Sequence, residues 1–116
     1  MSLPFSEEAV AEALTEKFYE QDGAELEKFG DRGRKHTKED LLHHFNYLNT
    51  AYELENEQIF VDYALWLHQV LVTRGVPEEM LLKSFAWIDE ELERYEEDKR
   101  MAFYQKCLRL ANDALR

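Results

Sequence analysis

Residues 59–77, IFVDYALWLHQVLVTRGVP, constrain the fold more than any other stretch. Ile59, Phe60, Tyr63, Leu67, Val70 and Leu71 recur at helical spacing and line one face of a helix. That helix has a sharp stop. Arg74 falls in its last turn, Gly75 suits the left-handed C′ position, and Pro77 cannot continue it. So apolar a face needs cover, and the remaining chain must supply further helices to provide it.

Those helices are legible in order. Ser6 reads as an N-cap, with Glu7 and Glu8 where the helix dipole favours acid. Val10, Leu14 and Phe18 give a narrow stripe, so helix one is expected over residues 7–21. Asp22-Gly23 breaks it, and residues 24–29 add another turn or two. The segment 30–37, GDRGRKHT, reads as a loop. Thr37 then caps helix two, with Asp40 at N3 in a Thr-x-x-Asp capping box. Leu41, Phe45, Leu48 and Tyr52 form its core face, and it ends near Leu54. Asn56 caps helix three.

Pro77 opens helix four at N1, before Glu78 and Glu79. Leu81, Phe85, Ile88, Leu92 and Tyr95 carry its stripe. Residues 90–100, EELERYEEDKR, are polar but hold no Gly or Pro. Phe103, Cys107, Leu110 and Ala114 then resume an apolar line. Residues 77–116 are therefore expected to form one helix of about 60 Å. The expected fold is all-α: an up-down helical bundle of four main helices with an extended C-terminal helix, in a single domain over residues 1–116. The far stripe of that helix needs cover. A second copy of the chain is the simplest source, which makes Phe103, Cys107 and Leu110 the candidate oligomer interface. A homo-oligomer is expected, with room for another protein partner.

Composition narrows the function classes. The net charge is -11, from 25 acidic and 14 basic residues. Nucleic acid and anionic membrane surfaces both require a positive footprint, so neither is expected as a partner. No apolar run is long enough to span a bilayer, and the first ten residues lack the charged and apolar regions of a signal peptide. One cysteine, Cys107, cannot form a disulfide within the chain, which points to a reducing cytoplasm. Its position on an apolar line reads as a small buried hydrophobe rather than a reactive thiol.

Few residues suggest chemistry. Asp40 and His43 share a helix face, as in acid-x-x-His di-iron sites, but helix three has Leu65, not an acid, three residues before His68. No metal and no cofactor are expected. No nucleophile elbow, metalloprotease helix or phosphate-binding loop occurs, so catalysis has no signature. Two candidates stand. Arg32, Arg34, Lys35 and Thr37 surround the expected N-terminus of helix two and suit an anion such as phosphate or carboxylate; the alternative is a solvated loop. Tyr47, Tyr63, Trp66 and Trp87 suit a pocket between helices two, three and four, for a cofactor or tetrapyrrole-type ligand. The alternative for the tryptophans is packing at the edge of the core.

Residues 26–77 carry a wider pattern: F-G-D-R-G-R…H-T-K-E-D…H-H-F-N-Y-L…F-V-D-Y-A-L-W-L…R-G-V-P. It resembles the small helical segments associated with cobalamin-binding modules in bacterial sensory proteins. The resemblance implies a regulatory or cap-like helical bundle of bacterial origin. The chain departs from cobalamin binders in lacking an Asp-x-His-x-x-Gly motif. It also departs from the Trp-x9-Glu-His pattern of some caps, since Trp87 is followed by Glu97 and Asp98. The expected function is thus a non-catalytic interaction or regulatory module. A small-molecule sensor and a metal-binding bundle are the alternatives.

Overall fold

The computed structural model describes residues 3–95 and 97–116, the side chain of Glu25 excepted. Its described residues form five α-helices, two 3-10 turns and no strand: α1 (Glu7–Leu26), α2 (Gly30–Glu53), α3 (Glu57–Thr73), α4 (Glu78–Leu92) and α5 (Lys99–Leu115). The chain is all-α. It divides into two compact units, Met1–Asn46 and Tyr47–Arg116, with the boundary inside α2.

In the first unit, Ser6 caps α1 by accepting the Ala9 amide at 3.2 Å. Ala11, Leu14, Thr15 and Phe18 are buried along one face. The expected break at Asp22 is a kink. Asp22 leaves helical geometry at φ -119°, ψ 22°, and the helix resumes to Leu26. A 3-10 turn, Glu27–Phe29, follows. Gly30 then takes φ 64° and starts α2 at once.

Segment 30–37 is therefore helix, not loop. Thr37 caps nothing: its hydroxyl donates to the Gly33 carbonyl one turn back at 2.8 Å. Asp40 lies mid-helix. The glycines have other uses. Gly30 makes the turn, and Gly33 makes room. A Cβ on Gly33 would lie 2.4 Å from the Phe29 Cβ and 2.9 Å from the Tyr19 hydroxyl. Leu41, His44 and Phe45 bury the α2 face of this unit, and Phe5 tilts against Phe45 at 5.5 Å.

The second unit is built on α3. Asn56 caps it through the Gln58 amide at 3.0 Å. Phe60, Tyr63, Leu67 and Leu71 of the expected stripe are buried, with Val61 and Ala64 beside them. The stripe is wider than expected because α5 packs on both α3 and α4. The continuous C-terminal helix is replaced by a return. After α4 a 3-10 turn, Glu93–Tyr95, loosens the helix. Asp98 then caps α5, accepting the amides of Arg100 at 2.8 Å and Met101 at 3.2 Å. Asp89 on α4 meets α5 twice, accepting from Gln105 Nε2 at 2.9 Å and from Arg109 Nε at 3.0 Å. Met101, Tyr104, Cys107, Leu108 and Ala111 are buried by this packing. Each large side chain so covered contributes about 1.5–3 kcal/mol.

Two helices of this unit end in the same motif. At the close of α3, Gly75 has φ 78°, Val76 N–H donates to the Leu71 carbonyl at 2.9 Å, and Gly75 N–H to that of Val72 at 3.1 Å. At the close of α2, Glu55 has φ 50°, Asn56 N–H donates to Ala51 at 2.9 Å, and Glu55 N–H to Tyr52 at 3.1 Å. A Cβ in the left-handed region costs about 1–2 kcal/mol. Gly75→Ala is thus expected to lower stability by about 1 kcal/mol, and Glu55→Gly to raise it by up to about 1 kcal/mol. Urea denaturation midpoints check both. Midpoints that stay put, or move the other way, would contradict this reading of the two helix ends.

Candidate functional site

The second unit carries a chain of aromatic rings that starts in the core and ends in solvent. Phe85 of α4 meets Phe60 of α3 edge-on at 5.2 Å. Phe60 meets Tyr63 at 5.6 Å. Tyr63 stacks on Tyr47 of α2 with ring centroids 4.0 Å apart and planes 13° apart. Trp66, one turn after Tyr63 on α3, lies 6.4 Å from it. Phe60, Phe85 and Tyr63 are buried, while Tyr47 and Trp66 are 40% and 59% exposed. The outer rings are therefore held by an inner set that cannot move without disturbing the core. Asp62 lies one turn before Trp66 and accepts from Gln58 Nε2 at 2.8 Å. Between Lys38 and Arg74 the sequence has no Lys or Arg, so α3 and the adjoining half of α2 bring acid but no cation to this face.

Of the four residues expected at a pocket, Tyr47, Tyr63 and Trp66 are thus together. Trp87 is buried on α4, whose covered face is widened by α5.

The basic segment has a different role from the one its spacing suggested. Arg34 and Lys38 cross from α2 to the acids of α1. Arg34 pairs with Glu16 and lies 4.4 Å from the Tyr19 ring centroid. Lys38 pairs with Glu8 at 3.1 Å and Glu12 at 3.8 Å. Lys35 reaches Glu39 at 4.0 Å, within α2. Arg32 is exposed. The helix N-terminus expected beside these cations is two turns earlier, at Gly30, so the dipole argument for an anion at Thr37 no longer applies.

The expected oligomer stripe is largely covered within the chain. Cys107 is buried, and Phe103 is half-buried with its ring edge-on to Tyr52 at 5.7 Å. Leu110 remains partly exposed. Sequence spacing gave no sign of the polar cluster beside Phe103. Arg100 Nε donates to the Tyr104 hydroxyl at 2.8 Å, and its Nη2 to Asn49 Oδ1 at 3.1 Å. The Tyr104 hydroxyl also donates to Asn49 Oδ1, and the Arg100 guanidinium lies 4.8 Å from the Tyr52 ring centroid. The available signal was Asp98, a capping residue immediately before the apolar line resumes.

The one thiol and one of the four imidazoles are sealed. Burial, with the Glu57 charge, pushes the Cys107 thiol up to about 12. Burial, with His43 nearby, pushes the His44 imidazole down to about 3. Among the described residues no three His, Cys, Asp or Glu side chains converge as a metal site would require. No helix of the described residues is long and apolar enough to cross a membrane.

Compared with protein-family models, curated proteins and solved structures, the chain matches none.

His44 gives the folded state a pH dependence of definite sign. Folded, it stays neutral down to about 3; unfolded, it takes a proton near 6.5. Its contribution is complete above pH ~6.5 and declines as pH falls, by up to about 1.4 kcal/mol per unit. Urea melts from neutral to mildly acidic pH should show this slope in the parent and a shallower one in His44→Leu. An NMR titration of the folded parent gives a second reading. A His44 ring resonance that titrates near 6.5 would contradict the buried neutral state.

Proposed function

We propose that this chain is a non-catalytic helical interaction module, and that Tyr47 and Trp66, backed by Tyr63, form its contact face. The observation that carries this is Trp66. Its ring is 59% exposed while resting beside buried Tyr63 and next to exposed Tyr47, so the three present apolar aromatic area of the kind that anchors contacts. The burial of Cys107 and His44 supports a non-catalytic role. The resemblance to cobalamin-associated helical segments supports a regulatory setting. Self-association was expected from an uncovered stripe on a continuous final helix, and the return of α5 removes that premise.

A small-molecule sensor is the second reading. The stacked Tyr47–Tyr63 pair with Trp66 beside it is a platform for a flat ligand.

The contact face can be tested apart from the fold. Trp66→Gln should leave the unfolding free energy within about 0.5 kcal/mol of the parent, because an exposed ring contributes little to packing. The same change at buried Trp87 should cost about 3 kcal/mol or more. A neutral solvatochromic dye such as Nile red should bind the folded parent and quench Trp66. Trp66→Gln combined with Tyr47→Gln should lose that binding. Equal dye binding by parent and double variant would remove this face as the contact surface.

A further inference from the structure

The chain treats its aromatic side chains in two ways. Tyr19 carries the Arg34 guanidinium at 4.4 Å, Tyr52 carries Arg100 at 4.8 Å, and Phe29 carries Lys28 at 5.1 Å. Among the described residues no Lys or Arg lies over Tyr47 or Trp66. These are more exposed than Tyr19 or Tyr52. Tryptophan is the ring that holds a cation best. Asp62, one helical turn before Trp66, adds a carboxylate to the same face. A cation arriving here would meet ring faces and an acid, with no competing cation from α3 or the adjoining half of α2.

Resting on the interaction-module reading, we propose that the Tyr47–Tyr63–Trp66 face docks an arginine-bearing basic segment of a partner protein. An arginine guanidinium stacks on Trp66 or Tyr47 while its ion pair forms with Asp62. Arginine fits better than lysine because its planar group stacks and donates at once. A second copy of this chain is the weaker candidate on charge. Each copy carries -11, so bringing two together opposes like fields, whereas a basic segment is drawn in. The same field disfavours nucleic acid.

The test uses the full chain and three helical peptides of one apolar pattern, with Arg, Gln or Glu at the polar positions. Trp66 emission reports binding in a Trp87→Phe background. The Arg peptide should bind about tenfold or more tighter than the Gln peptide, and the Glu peptide weakest. Added salt should weaken the Arg peptide alone. Asp62→Asn should lower affinity for the Arg peptide several-fold and leave the Gln peptide unchanged. Trp66→Leu should lower the Arg peptide several-fold more than the Gln peptide, because it removes the ring that carries the guanidinium as well as apolar contact; for Trp66→Leu, calorimetry replaces emission. Equal binding of Arg and Gln peptides, without salt dependence, would overturn the basic partner while leaving an apolar docking face. An Arg peptide bound equally by Trp66→Leu would show attraction to overall charge only, which also overturns the proposal. Light scattering that finds a dimer dissolved by Trp66→Leu would make a second copy the occupant. Failure of all three peptides and of Nile red to bind the parent would overturn the interaction reading itself.

Discussion

The course of the last third of the chain depends on one buried hydroxyl and one exposed carboxylate. Asp98 gives α5 a separate start by satisfying the amides of Arg100 and Met101. Tyr104, fully buried one turn further on, donates to Asn49 of α2 and accepts from Arg100. A buried hydroxyl without a partner costs about 1–3 kcal/mol, so this bond sets the position of α5 against α2 as well as joining them. With α5 in place, Cys107, Leu108 and Ala111 are covered, and α4 gains a second neighbour beside α3. Without it, α3 and α4 would each present an uncovered flank.

How much of this could be read beforehand divides along physical lines. The ends of α3 were legible because Asn56 and Gly75 act through their immediate backbone. Its buried face was legible because a strong apolar period leaves few alternatives. The start of α2 was misread because glycine has two uses. Gly30 does make a turn, but Gly33 sits in a helix that needs the absence of a side chain beside Phe29 and Tyr19. That need is set by the neighbours and has no local signature. The break before α5 was missed for the opposite reason. Asp98 is a local cap signal, but it stands among many acids in a polar run with no Gly or Pro, where nothing in the spacing sets it apart. The ring face was half legible. Tyr63 and Trp66 share a helix face by spacing, whereas the stacking of Tyr47 and the burial of Trp87 depend on packing between helices.

The distribution of side chains has a functional logic. Two cations of the first unit, Arg34 and Lys38, are used within it to join α2 to the acids of α1. Such exposed pairs set register more than they stabilise. The thiol and the most buried imidazole are held away from solvent in their neutral forms. Tyr47 and Trp66, by contrast, are exposed beside Asp62 on a strongly acidic chain, and they form the contact face proposed above. Rigid rings cost little entropy on binding, and an anionic surround favours basic partners in both rate and choice.

The return of α5 supports this whole arrangement, and a distance measurement tests it directly. Glu79 near the start of α4 and Asp113 near the end of α5 are both exposed and accept spin labels through Glu79→Cys and Asp113→Cys. Cys107 is buried with its thiol pushed up to about 12, so the introduced cysteines take the label. Packed helices lie about 8–10 Å apart, so with label arms the returned chain should give a dipolar distance below about 25 Å. A single helix through both positions would place them about 50 Å apart. A narrow short distance is the expected result. A distribution centred near the long value would contradict the fold.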